Sequence, residues 1–311
     1  MKKNTVSANF TGKSKMKTGL LERNENLAGF AFLSLNLIGY IIFKLVPILM
    51  AFGLSFSRWN FISGIRGIKF VGVTNYLKLF SDPVFHVSLV NTIFYAVAMV
   101  PVSIFLALVL GSILDEHVFG KGVLRLIYYM PHISSMVAIS MIWMILYLPS
   151  YGPINNFLRS IGIENPPRWI SASSTSLLSI AIMGVWSSLG YNIIIVLAGL
   201  QGIPRSLYES ADIDGANVIR KFFSITIPSL SSTLFFLVMI SFIRSFQVFA
   251  PVQVMTGGGP GNSSSVLVYY IYRTAFFHND IGYATALSWV LFVLVFVFTI
   301  GRNIFMARNK N

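Results

Sequence analysis

The chain has 311 residues, 55% hydrophobic and only 11% charged, with 27 phenylalanines, no cysteine, a mean hydropathy of +0.73 and a formal net charge of +13. Such a balance excludes an ordinary soluble enzyme and describes an all-α polytopic membrane protein. The lack of cysteine removes disulfides and thiol chemistry, and a positive excess spread over short polar stretches argues for membrane topology rather than nucleic-acid binding.

Residues 1–26 form a lysine-rich tail without the apolar core and small-residue cleavage site of a signal peptide, so the first span is expected to stay as an anchor. In this tail "TGKSK" (Thr11 to Lys15) ends like a phosphate loop but carries Ser7 where that loop requires glycine. Six apolar stretches reach the roughly 20 residues that a bilayer core demands. They run from Leu27 to Phe56, Val87 to Asp115, Val123 to Leu148, Leu177 to Gln201, Leu230 to Met255 and Tyr283 to Phe305. An even number puts both termini on one side, leaving 306–311 as a second short tail. Short loops rich in Lys and Arg stay cytoplasmic. Lys2, Lys3, Lys13, Lys15, Lys17, Arg23, Lys121, Arg125, Arg205, Arg220, Lys221, Arg302, Arg308 and Lys310 outnumber Arg58, Arg66, Lys69, Lys78, Arg159, Arg168 and Arg273 on the opposite loops. Both termini are therefore expected in the cytoplasm.

Among the connections, "YGPINNFLRSIGIENPPRW" reads as a short interfacial helix stopped by Gly162 and Pro166-Pro167, and "TGGGPGNSSS" (Thr256 to Ser265) as a flexible turn. The polar stretch 202–228 is different. Pro204 ends the fourth span, Ser206 with Glu209 three residues later makes a capping box, and Gly215 stops the short helix so begun. A second helix over Ala216 to Ser224 would carry Val218 and Phe222 on one face, with Pro228 in the first turn of the next span. Such a segment is either an unpartnered surface loop or a docking device.

Its spacing resembles the cytoplasmic loop signature of bacterial ABC importer permeases: Glu-Ala-Ala, three residues, Gly, nine residues, Ile, one residue, Leu-Pro. Glu209, Ala211, Gly215, Ile225 and Pro228 occupy matching places, while Ser210 and Ile227 replace an alanine and the leucine. "FVGVTNYLKLFSDPVF", "IYYMPHISSMVAISMIW", "LAGLQGIP", "MTGGGPGNSS" and "IYRTAFFHNDIGYATALSWVLF" are similar to segments of the carbohydrate branch, in particular the first permease of maltose-type systems. The resemblance implies a type I importer permease fold with its transmembrane module over 87–305. It implies that Glu209, Ser210, Ala211, Asp214 and Gly215 form a coupling helix docking on an ATPase subunit. It further implies a second homologous permease, two ATPase subunits, an extracytoplasmic solute-binding protein, a sugar substrate and no cofactor, in a bacterial cell membrane.

A sugar site needs hydrogen-bonding side chains beside aromatic platforms. "WSSLGYN" supplies Trp186, Ser188, Tyr191 and Asn192; "IRSFQVFAPVQ" supplies Arg244, Ser245, Phe246 and Gln247. The resemblance places Ser188, Tyr191, Ser245 and Val248 near the family's binding positions. Small and polar residues also glue membrane helices together, so interhelical packing is the competing role. Arg244 lies deep in a span, where a guanidinium faces a cavity or a partner, with Phe246 expected as a stacking face; His132 is expected to pack between helices. No catalytic constellation remains. A secondary transporter is the rival class, but ion coupling normally uses carboxylates at depth, and the acidic residues fall in loops, tails or at span ends.

Overall fold

The computed structural model describes residue 30 and residues 33–115 and 121–308. The basic tail with its "TGKSK" run, Glu116 and the last three residues lie outside the described residues. The chain divides into two units, Met1–Leu54 and Ser55–Asn311. The first contributes helix α1 (Leu33–Ser55), which loosens into a π-helical turn over Ile41–Leu45 and exposes almost every side chain along its length. An apolar helix of this kind is stable only in lipid or against other helices.

The second unit starts with a short antiparallel hairpin, β1 (Ser57–Arg58) on β2 (Lys69–Phe70), paired Ser57 to Phe70 and Arg58 to Lys69. Helix α2 (Thr74–Ser81) follows, then the long α3 (Pro83–Asp115). Asp82 explains why α3 begins four residues earlier than the hydropathy suggests. Its carboxylate accepts from the backbone N–H groups of Val84 (2.9 Å) and Phe85 (3.2 Å), and Pro83 at the first helical position has no N–H to satisfy.

The third expected span is not one rod. Helices α4 (Lys121–Ile133) and α5 (Met136–Leu146) meet at a bend of 99°. Pro131 cannot donate to the preceding turn, and the Ser134 hydroxyl then takes the Met130 carbonyl at 2.8 Å. Helix α6 (Pro153–Ser160) is the expected interfacial helix, with proline at its start and Gly162 beyond its end at φ +95°. Helix α7 (Ser176–Leu200) matches the fourth span within a residue at each end.

The polar stretch folds as α8 (Arg205–Ile213) and α9 (Val218–Ser229), and α9 meets α10 (Ser231–Phe246) at 71°. Two expectations change here. Pro228 lies in the last turn of α9, before the bend at Leu230, rather than opening the next span. The fifth span ends at Phe246 instead of Met255: Gln247 to Phe249 leave the helix, and Pro251 starts a new short helix, α11 (Ala250–Met255). Helix α12 (Leu267–Tyr272), continued by a π-turn over Arg273–Phe277, leads to α13 (Ile281–Arg308), so the region from 306 stays helical through Arg308. Among the described residues four helices are long and apolar enough to cross a membrane, up to six spans if each bent pair crosses once.

The core of this unit lies chiefly between α3 and α7, around Ala96, Val100, Ala107, Ile180, Met183, Ile193 and Val196. Gly190 lets α7 approach α4 backbone to backbone, since a Cβ there would run into the Tyr128 carbonyl. The Gly-rich turn after α11 is anchored, not loose. Asn91 donates to the carbonyls of Asn262 (3.0 Å) and Ser265 (2.9 Å), and Ser88 and Ser176 bond to Ser265 and Ser263 at 2.9 Å each. The apparent looseness of a Gly-Ser run disappears once its hydroxyls find partners on neighbouring helices.

A second clasp joins α2, α3, α12 and α13. The Asp82 carboxylate also accepts from the hydroxyls of Tyr270 (2.5 Å) and Tyr283 (2.6 Å), and Lys78 pairs with Asp280 (3.1 Å) while lying 3.9 Å above the Tyr283 ring. Burial alone would raise the Asp82 pKa, but these donors outweigh it and hold the carboxyl below the usual carboxylate range. A depressed pKa contributes stability above the unfolded value of about 3.9 and loses it as pH falls through the folded value. Asp82→Asn is thus expected to lower thermal stability by about 1–3 kcal/mol at pH 6–8. Its deficit should shrink below about pH 4 as the wild type protonates, which thermal unfolding in detergent across pH would read.

Candidate functional site

Two regions carry the functional geometry. In the first, α8 ends in a Schellman motif: the Ala216 N–H bonds the Ala211 carbonyl (2.9 Å), the Gly215 N–H bonds that of Asp212 (3.1 Å), and Gly215 sits at φ +73°. The Asn217 side chain accepts from the Arg220 N–H at 2.8 Å and caps α9. Lys221 pairs with Asp212 at 2.6 Å and Tyr208 bonds Thr226 at 2.9 Å, fixing the angle between the two helices. The expected capping box does not form. Pro204 holds the N-cap position without a side-chain cap bond, which leaves Ser206 within the helix. Glu209, Ser210, Asp214 and Gly215 are exposed and Ala211 half-buried. Beside them Ile213 is 87%, Val218 73% and Ile219 69% exposed, an apolar surface on an otherwise polar segment. Phe222 turns inward and packs on the core. Behind the helices lies a cavity of about 450 Å³, its wall including Ser112, Asp115, Arg205 and Lys221.

The second region is a cavity of about 420 Å³ where α10 breaks. The break itself makes the site, because the chain leaves the helix at Gln247 and brings Val248 and Phe249 into a wall shared with Tyr95 and Met99 of α3 and Met183 and Ser188 of α7. Of the eight residues expected along a pathway, Ser188, Arg244, Ser245 and Gln247 line this cavity. Tyr191 does not, but the Arg244 guanidinium lies 4.7 Å above its ring, and Tyr191 stacks on His132 at 5.0 Å. Among the described residues no ion pair or side-chain hydrogen bond engages Arg244, so its charge is left to the cavity.

The other three lie off this wall. Trp186 stands edge-on to Trp143 at 5.6 Å. Asn192 is buried and donates to Ser103 on α3 at 3.4 Å. Phe246 points to Phe298 at 6.4 Å rather than stacking on Arg244. Trp186 lies on the opposite side of α7 from Ser188, and Phe246 on the opposite side of α10 from Arg244, whereas Asn192 shares the Ser188 face one turn further on and is taken up by its contact with α3. Sequence reasoning missed Tyr95, Met99, Met136 and Met183 in the wall, since apolar residues in a span carry no mark of a cavity. His132, expected as a packing residue, both lines the cavity and stacks on Tyr191, and the Pro131 beside it was the available signal.

Residues 88–310 match the family of binding-protein-dependent transport system inner membrane components. The chain belongs to this family. The permease is 33% identical over 286 residues to the trehalose/maltose transport system permease protein MalF of Thermococcus litoralis, covering 91% of this chain and 95% of that one. It is 34% identical over 232 residues to the sn-glycerol-3-phosphate transport system permease protein UgpA of Agrobacterium fabrum, covering 74% and 78%. A chain from a bacterial ABC transporter involved in the import of the acidic polysaccharide alginate shares the fold, with a TM-score of 0.78 at 23% identity, covering 94% of the permease and 99% of that chain. The bent third and fifth spans thus belong to a type I importer permease fold.

Proposed function

We propose that the permease forms half of the translocation pathway of an ATP-driven oligosaccharide importer. It pairs with a second, homologous permease, two ATPase subunits and an extracytoplasmic binding protein, with both termini in the cytoplasm. Closure of the ATPase dimer on ATP moves the segment 205–229, the bundle opens to accept sugar from the binding protein, and hydrolysis resets it.

The observation that carries the substrate class is the cavity at the α10 break. It combines hydroxyls of Ser188 and Ser245, the Gln247 amide and the Arg244 guanidinium with the rings of Tyr95 and Phe249, the mixture of polar anchors and apolar faces that a carbohydrate requires. The relative named for trehalose and maltose agrees with it. Among the described residues the one acid within a span, Asp115, is the last residue of α3, and the lack of a carboxylate at depth disfavours ion-coupled transport. Mass spectrometry of the ligand on the co-purified binding protein tests the reading. An oligosaccharide is expected, and an amino acid or inorganic ion would refute it.

Orientation has its own test, which the absence of native cysteine makes clean. Cysteine replacing Ile213 (87% exposed) should resist an impermeant thiol reagent in intact cells, whereas cysteine replacing Ile62 (84% exposed) should react. The opposite labelling would invert the topology.

A further inference from the structure

A continuous line of aromatic rings leaves the cavity at Phe249 and reaches the protein surface. Phe249 stands edge-on to Tyr272 at 5.0 Å, Tyr272 meets Phe276 at 5.3 Å, Phe276 stacks on Phe61 at 6.2 Å, and Phe61 stands edge-on to Trp59 at 5.4 Å. Phe277 flanks the line at 5.7 Å from Tyr272. The inner end is the cavity wall itself, and the outer end is open, with Phe276 59%, Phe277 65% and Phe61 53% exposed. The outer rings sit on the hairpin loop and the π-turn beside α13, which are tied together by the N–H of Ile281 donating to the Trp59 carbonyl at 3.0 Å. A random aromatic belt would follow the membrane plane; this line instead runs into the cavity that Arg244 and Gln247 line.

We propose that these rings are a sliding track for an oligosaccharide, binding successive sugar units between the outer surface and the cavity. The inference rests on the sugar reading above and adds a site to it. A pyranose presents a face of C–H groups, which suits the electron-rich face of an aromatic ring, while its hydroxyls stay in water. Ring spacings of 5.0 to 6.2 Å are comparable with the length of one hexose unit. A track of five rings therefore offers a long chain several simultaneous stacking sites and a disaccharide few. Stacking is directional only weakly, so a sugar can step from ring to ring without a deep trap.

The test uses the complete transporter with its binding protein in proteoliposomes, comparing maltose with maltohexaose and an alginate disaccharide with the hexasaccharide. In the transported series, Phe276→Ala and Phe61→Ala should each raise the ratio of hexasaccharide to disaccharide KM by roughly three- to ten-fold. Phe276→Tyr, which keeps the ring, should restore the wild-type ratio. A ratio unchanged in both alanine variants overturns the track, as does an equal loss for both lengths, which would mean that the rings pack against lipid or the partner permease. If the wild type takes up neither series, the di- and hexasaccharide of the sugar found on the binding protein replace them with the same expected ratios; a binding protein that carries no sugar sinks the sugar reading itself, and the track falls with it.

Discussion

Gly215→Val is expected to reduce substrate-stimulated ATP hydrolysis of the assembled transporter at least ten-fold while the chain still inserts and assembles. Gly215 sits at φ +73°, and a Cβ there would meet nothing within 4 Å, so steric crowding by neighbours plays no part. The cost is in the backbone. A left-handed conformation costs an L-residue roughly 1–2 kcal/mol, and a β-branched side chain is the worst case. Relieving that strain means breaking the bonds from Gly215 and Ala216 back to Asp212 and Ala211, which close the end of α8 and start the turn into α9. The exposed surface of Glu209, Ser210 and Ile213 would then no longer be presented at its angle to Val218 and Ile219. Asn tolerates the left-handed region better than other L-residues, so Gly215→Asn should retain most of the stimulation. ATPase assays in proteoliposomes with and without loaded binding protein separate the two variants, and normal stimulation in Gly215→Val would remove the coupling role from this turn.

Arg244→Gln is expected to cut uptake of a uronate oligosaccharide roughly ten- to a hundred-fold relative to its neutral counterpart, as for the loss of a charge-assisted hydrogen bond worth about 1.5–3 kcal/mol. The physical ground is an uncompensated charge. Arg244 lies in the last turn of α10, lines the cavity, and is held on one side by the Tyr191 ring at 4.7 Å. A cation–π contact satisfies the face of a guanidinium but leaves its in-plane donors, which match a carboxylate bidentately. Equal loss of acidic and neutral sugars in the variant, or an unchanged preference, would make Arg244 a structural residue. An acidic group on the second permease would give that result.

The regular parts of the fold were legible because bilayer thickness sets a length that hydropathy can read, and α7 and α13 match their spans within a few residues. The breaks were not. Pro131, Pro228 and Pro251 are visible in the sequence, but a proline in an apolar run can start, kink or end a helix, and only the packing around Ser134, Leu230 and Val248 decides which. The site inherits that difficulty. Ser188, Arg244, Ser245 and Gln247 announce themselves as polar residues at depth. Asn192 does so equally, yet it faces Ser103 across a helix interface, because polarity alone does not tell which face of a helix is wet. In the segment 205–229 Gly215 was readable from its position after a short helix. The capping box was not realised, because Pro204 takes the N-cap position of α8 and leaves Ser206 inside the helix.

The most direct test of the account is the energy source for uptake. The complete transporter would be reconstituted in proteoliposomes with its binding protein, loaded with the sugar that mass spectrometry identifies on it. ATP would be enclosed or omitted, and proton and sodium gradients imposed or collapsed with ionophores. The account predicts accumulation that requires both ATP and the binding protein and is indifferent to the gradients. Uptake that persists without ATP and follows a proton or sodium gradient would contradict it.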